Sequence, residues 1–187
     1  MASKENKKEY IIWIDVETSG DNPDIHDLLE VAACMTDMSG NMIGSEFESL
    51  VFVPHLSEVM SKAEKQVLNM HEKSGLWIDL WNSANLKTRQ EVDSALFEWI
   101  KSKEIQGNLL FGGNSITLDR NFVRVNLPLT HSLISHQSVD VTSISKALSE
   151  WIPCRPYAAS EHRALPDIRR SINDYKWIKS TLHAKMA

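Results

Sequence analysis

The chain has 187 residues, with 25 Asp and Glu against 20 Lys and Arg, so its formal net charge is −5. Apolar residues make up 42% and charged residues 24%, which excludes intrinsic disorder and leaves enough apolar side chain for a core. The acidic balance argues against a protein that grips nucleic acid through a broad basic face, but not against one whose positive charge arrives as bound metal.

The opening residues Met1 to Lys8 are polar and lysine-rich, and no apolar stretch of signal-peptide length follows them. No run approaches the ~18 apolar residues of a membrane helix. A cytoplasmic protein with free thiols at Cys34 and Cys154 is expected, Cys34 being buried in an apolar run. With no repeat or Gly/Ser/Pro linker, one domain over residues 10–182 is expected, between tails at 1–9 and 183–187.

Tyr10 to Val16 is a short, nearly continuous apolar run with three isoleucines, the pattern of a strand buried on both faces. A loop follows from Thr18 to Pro23. Leu28 to Thr36 reads as a second strand, Ser39-Gly40-Asn41 as a turn, and Met42 to Val53 as a third strand. A polar, helix-favouring middle comes next. Thr88 and Glu91 fit a capping box, and Val92, Ala95, Leu96, Trp99 and Ile100 repeat at helical spacing, which predicts a helix over 88–103. Leu109 to Phe111 is a short strand, Thr117 to Val125 a helix, Ser138 to Val141 a strand and Thr142 to Trp151 a helix. Ile152 to Ser160 is a loop. Ile168, Ile172, Tyr175, Ile178 and Leu182 mark a closing amphipathic helix that should begin at Pro166, since proline suits a first helical position. Leading strands followed by alternating strands and helices predict an α/β mixed sheet flanked by helices.

Three acidic elements stand out. Asp15 and Glu17 close the first strand, and residues two apart face the same side. Two like charges side by side near a core are costly, and a divalent cation removes the cost. Alone, this pair would read as solvated. Asp119 follows Gly113-Asn114-Ser115 near another strand's carboxyl end, where a first-turn helix acid is the ordinary alternative. His162 precedes Asp167 by a loop, with Asp167 in the first turn of the last helix. A positioned Asp and a loop His suit metal binding and proton transfer, although a lone loop histidine is ordinarily a surface residue.

In order, these elements resemble the DEDDh exonuclease superfamily, of ribonuclease H-like fold, and within it the oligoribonucleases. The resemblance rests on Trp13-Ile14-Asp15-Val16-Glu17-Thr18-Ser19-Gly20, Leu28-Leu29-Glu30-Val31-Ala32, His71-Glu72-Lys73-Ser74-Gly75-Leu76, Gly113-Asn114-Ser115 with Asp119, Val139-Asp140-Val141-Thr142, and His162-Arg163-Ala164-Leu165 with Asp167. It implies a five-stranded mixed sheet, antiparallel at first and then parallel. It implies a 3′-to-5′ exoribonuclease that releases nucleoside 5′-monophosphates from the 3′ end of single-stranded RNA or DNA. Asp15, Glu17, Asp119 and Asp167 would hold two divalent cations, Mg²⁺ or Mn²⁺, whose hardness suits oxygen-only ligands. His162 would be the general base. Thr18, Ser115, His71 and His136 would meet substrate. Glu30 and Asp140 match family positions with structural roles, a polar group satisfied within the sheet and a helix cap. A homodimer is implied as well.

The sequence departs from that family at the substrate. Oligoribonucleases carry a wedging leucine where this chain has Asp21, and a tryptophan where it has Gln66. They present a tyrosine and an arginine from the partner subunit where this chain has His136 and Gln137. The catalytic set matches while the gripping set has changed, so relaxed length preference, longer RNA, or DNA is expected. A catalytically dead binding or scaffolding protein on this fold is the alternative of another class, and the intact acids argue against it. Trp99 is expected in the core, and Trp77 and Trp81 nearer the surface. Arg163, Arg169 and Arg170 are expected to be solvated.

Overall fold

The computed structural model describes residues 8–153, 155 and 160–186; Cys154 and most of the polar start lie outside these. The predicted first strand forms as β1 (Glu9–Thr18) at the centre of a five-stranded sheet. Its neighbours are β2 (Leu28–Asp37) and β3 (Phe47–Leu50) on one side, and β4 (Asn108–Gly113) and β5 (Ser138–Asp140) on the other. The β1–β2 and β2–β3 pairs are antiparallel, and β1–β4 and β4–β5 are parallel. This is the mixed sheet that the family resemblance implies.

The helices are α1 (Leu56–Lys62), α2 (Lys65–Lys73), α3 (Leu76–Asn82), α4 (Arg89–Lys101), α5 (Thr117–Asn126), α6 (Pro128–Leu133), α7 (Val141–Ala147) and α8 (Ala164–Met186). The continuous apolar run of β1 has a direct cause. Ile12, Ile14 and Val16 pack on one face with Val92, Leu96 and Phe122 of α4 and α5. Ile11 and Trp13 pack on the other with Ile168, Ile172 and Tyr175 of α8. Each such aliphatic side chain removed from water contributes about 2 kcal/mol. At Gly112 a Cβ would lie 2.4 Å from Ile11 Cγ2, so only glycine lets β4 sit this close to β1. Cys34 is buried and free, and burial pushes its thiol up to about 12.

Several boundaries differ from expectation. The third strand shrinks to Phe47–Leu50, because Gly44, at φ 73, turns the chain between Met42 and the strand. Helix α6 is absent from the sequence reading. Its first amides are capped from far away, with the Asp93 carboxylate accepting from Leu129 N at 2.9 Å and Thr130 N at 2.8 Å. Helix α7 stops at Ala147 instead of Trp151. Helix α8 starts two residues before Pro166, and residues 183–186 continue it where a tail was expected. Trp77 is buried, whereas Trp81 is exposed. The capping box forms as read, with Thr88 and Glu91 bonded reciprocally. Among the described residues, no helix is long and apolar enough to cross a membrane.

Candidate active site

The pairing of β1 with β4 ends at Trp13 and Gly112, so Asp15 and Glu17 project past the parallel neighbour. Helix α8 crosses this end and presents Asp167 from its first turn. Asp15, Glu17 and Asp167 each offer an oxygen, and these oxygens lie within 4.8 Å of one another. Asp119, in the first turn of α5, is the fourth predicted acid. It is buried and accepts a hydrogen bond from Val16 N at 3.1 Å, beside the same strand end.

The acids destabilise one another. Burial, and then the charges of Asp119, Glu17 and Asp167, hold Asp15 well above the usual carboxylate range. Burial, and then Glu30, push Glu17 up to about 8. Burial pushes Asp119 up to about 7. Carboxylates gathered out of water with no cation among them prefer to keep their protons. The set is oxygen-only and mostly buried, which fits a hard divalent cation.

The loop before α8 is held by a charged clamp. Glu30 of β2 is wholly buried, and Arg163 meets it through Nη2 at 2.8 Å and Nε at 3.1 Å. Arg163 Nη1 also reaches Asp79 of α3 at 2.7 Å. The Glu30 hydrogen bonds, first, keep the guanidinium above its ordinary range. Glu30 also accepts the Ala164 amide at 3.0 Å, which satisfies an N-terminal donor of α8. That bond explains the early start of the helix. Arg163 is therefore a structural cation and not the solvated arginine expected. Arg169 likewise pairs with Glu46, and Arg170 Nη1 lies 3.6 Å from Asp167.

His162 is exposed, with φ 52, next to this clamp. Its backbone N donates to Ser160 Oγ at 3.1 Å, and its Nδ1 lies 3.3 Å from the same oxygen. Ser160 in turn donates to Asp167 at 2.5 Å. No sequence signal marked Ser160, because a serine in a loop is unremarkable until the loop folds back.

The remaining predicted residues divide. Thr18 is buried and donates to the Gly20 carbonyl at 2.6 Å. His71 is fully enclosed, its Nε2 2.8 Å from the Thr18 carbonyl and its Nδ1 3.7 Å from Glu17. It packs edge-on to Trp77, and burial lowers its basicity. The ring is wholly buried and lies behind the end of β1. Ser115, at φ 52, places its hydroxyl 3.2 Å from Thr142 and its amide 3.0 Å from Asp140. Asp140 also caps α7 through the Thr142 and Ser143 amides, as expected. His136 and Gln137 are exposed between α6 and β5, and Asp21 and Gln66 are exposed on loop and helix.

The family model for exonucleases matches residues 12–175. The chain belongs to this exonuclease family. The exonuclease is 30% identical to an oligoribonuclease of Arabidopsis thaliana, over 94% of its own length and 79% of the relative's. It is 32% identical to an oligoribonuclease of Corynebacterium glutamicum (strain R), over 92% and 80% respectively. It is thus an oligoribonuclease-like member of the 3′-to-5′ exonucleases. Among solved structures it superposes on exonuclease I of Methylocaldum szegediense with a TM-score of 0.67 at 15% identity, covering 91% of the exonuclease and 40% of that chain. An E. coli exonuclease I complex with single-stranded DNA, in a zinc-bound form, gives 0.63 at 18% identity, covering 93% and 41%. At these identities the two structures share the fold, and the exonuclease spans about two fifths of each.

Proposed function

We propose that this exonuclease hydrolyses the 3′-terminal phosphodiester of short single-stranded RNA, releasing nucleoside 5′-monophosphates. The observation that carries the reading is the convergence of Asp15, Glu17 and Asp167 within 4.8 Å at the end of a buried strand. These three, with Asp119, would hold two divalent cations, Mg²⁺ or Mn²⁺. When bound, such ions stabilise the attacking and leaving oxygens of an in-line displacement. His162 takes the proton of the attacking water through its ring, and its exposure leaves it open to solvent and substrate. A bond forms between the water oxygen and phosphorus, and the bond from phosphorus to the preceding 3′ oxygen breaks. Ser160 keeps Asp167 oriented, and the Arg163–Glu30 clamp fixes the height of the His162 loop.

Substrate length is relaxed in this reading. Asp21 is 90% exposed where a wedging leucine would stack on bases, so apolar contact is lost and charge is added toward phosphate. Ser115 and Thr18 border the substrate, and His136 belongs to a surface that a second copy of the chain would complete. The relatives named as oligoribonucleases support RNA, and the exonuclease I complex with single-stranded DNA keeps DNA as a second substrate. One exonuclease domain over residues 10–182 carries all of these parts, and sedimentation tests the homodimer that family membership leads us to expect.

The test is a time course of a labelled dinucleotide, a longer RNA and a longer DNA with Mg²⁺ or Mn²⁺, with Asp15→Ala as control. Stepwise shortening from the 3′ end, absent in the control, is the expected result. No released nucleotide from any substrate, with His162→Ala indistinguishable from the parent, would establish the scaffolding reading instead. A strong preference for the dinucleotide would refute the relaxed length preference.

A further inference from the structure

An open groove of about 820 Å³ lies between α7 and α8. It begins at Asn114, Ser115 and Pro166, and Pro166 and Arg170 flank the acid Asp167 on α8. From there it follows α8 to Trp177, about 16 Å by helical rise. The far wall is α7, through Thr142, Ser145 and Lys146.

Its charge is opposite to that of the molecule. The chain as a whole carries −5, yet the charged residues lining the groove are Lys146, Arg155, Arg169 and Arg170 against Glu161 and Asp174. Most of that positive charge is engaged, since Arg155 meets Asp174 at 3.0 Å, Arg169 pairs with Glu46 and Arg170 Nη1 lies 3.6 Å from Asp167. Lys146 is exposed on α7, and Trp177 is 38% exposed at the far end with its Nε1 3.4 Å from the Pro153 carbonyl. An exposed lysine on one wall and an aromatic ring at the far end are the chemistry that holds single strands, by phosphate attraction and base stacking. The groove is also much larger than one terminal nucleotide needs, and its near end lies beside the site, where Arg170 Nη1 is 3.6 Å from Asp167.

We infer that the α7–α8 groove binds the part of a single strand lying 5′ to the cleaved end, so that strands longer than a dinucleotide are held by Lys146 and Trp177 as well as by the catalytic acids. This rests on the exonuclease reading above and extends it from chemistry to substrate length. At the ~3.4 Å rise of stacked bases the groove takes a few nucleotides. RNA and DNA share the phosphates and bases that it recognises.

The experiment compares the parent protein with Lys146→Ala and Trp177→Phe on a dinucleotide and on twelve-nucleotide RNA and DNA, measuring KM and kcat with Mg²⁺ across a salt series. Lys146 lies on an exposed helix face, and phenylalanine keeps an aromatic ring, so both variants should fold. For Lys146→Ala, KM on the twelve-mer should rise about five- to tenfold with kcat unchanged. Dinucleotide kinetics should not move. The salt dependence of log KM on the twelve-mer should flatten by roughly 0.7, the value for one lost phosphate contact to a single strand. Trp177→Phe should raise the twelve-mer KM about two- to threefold without changing the salt slope. Equal effects on both lengths, or none on either, would overturn the inference while leaving the exonuclease intact. A change in sedimentation with no change in KM would assign the groove to a second copy of the chain and would also overturn it. Inactivity of the parent on every substrate would instead refute the function on which it rests. The RNA and DNA arms show which strand the groove prefers.

Discussion

Arg163 and Glu30 stand 133 residues apart in sequence, and their side chains meet through two guanidinium nitrogens, the shorter contact 2.8 Å long. Glu30 is wholly buried on a central strand, and Arg163 immediately follows His162. The pair therefore sets where the proposed general base stands relative to the sheet. Removing the arginine leaves a buried carboxylate with only the Ala164 amide and its neighbours. Arg163→Ala should cost about 2–3 kcal/mol in chemical denaturation and lower kcat. Arg163→Lys should recover less than half of either loss, because an ammonium cannot make the two-pronged contact. A lysine variant equal to the parent would show that only charge matters there.

Asp15→Asn separates stability from activity. Asp15 sits among acids whose charges raise its proton affinity, so removing its charge relieves repulsion. The metal-free variant should melt at a higher temperature than the parent. Its activity should fall more than about a hundredfold, beyond the usual cost of losing a mere supporting partner of a metal ligand. Calorimetry without metal and a nucleotide-release assay with it read the two effects separately.

The pH dependence of the metal-free protein follows from the same cluster. Glu17 and Asp119 titrate at about 8 and about 7 when folded, well above the ~4 of an unfolded carboxyl. The folded state holds these protons longer, so stability is full below the unfolded value and falls as pH rises through 7 and 8. The melting temperature without metal should decline from pH 6 to pH 8.5. Added Mg²⁺ should restore it, most strongly at the alkaline end. A metal-free melting temperature that climbs over this range would refute the account.

Ser160→Ala tests the hydrogen bond that joins the loop to Asp167. The serine donates to the carboxylate at 2.5 Å and faces His162 Nδ1 at 3.3 Å. Its loss should reduce kcat about tenfold and weaken activation by Mn²⁺, with a stability change within about 1 kcal/mol. A metal titration of activity reads both effects.

Asp21→Leu restores the apolar residue at the wedge position. One leucine partly buried against a base contributes about 1 kcal/mol. The dinucleotide KM should fall about fivefold, with little change for a longer strand. An unchanged ratio between the two lengths would show that Asp21 does not set length preference.

The parts of the fold that were legible in the sequence are those whose causes are local. The run Tyr10–Val16 is apolar without alternation because β1 is packed on both faces, and the Asp-x-Glu at its end is visible for the same reason. The α4 capping box is written in four consecutive residues. What stayed hidden depends on distant partners. Helix α6 is capped by Asp93, and α8 starts early because Glu30 receives its first amide. His71 has the residue type of a substrate ligand, yet its position behind Thr18 is fixed by how α2 and α3 close over the sheet. Family resemblance named the acids and His162 but not Ser160, which acquires its neighbours only when the loop returns to α8.

Helix α8 makes three demands on one register. Asp167 must point at the end of β1, while Ile168, Ile172 and Tyr175 must enter the core and Trp177 must face the groove. Adding one residue to an α-helix rotates everything beyond it by about 100°. A single-residue insertion between Asp167 and Ile172 would therefore oblige the helix to give up either its acid or its core. Substitutions on α8 can be absorbed one at a time, but its length between these positions is fixed. The loops that carry Asp21 and His136 are under no such constraint, since an exposed loop residue can change without turning anything else.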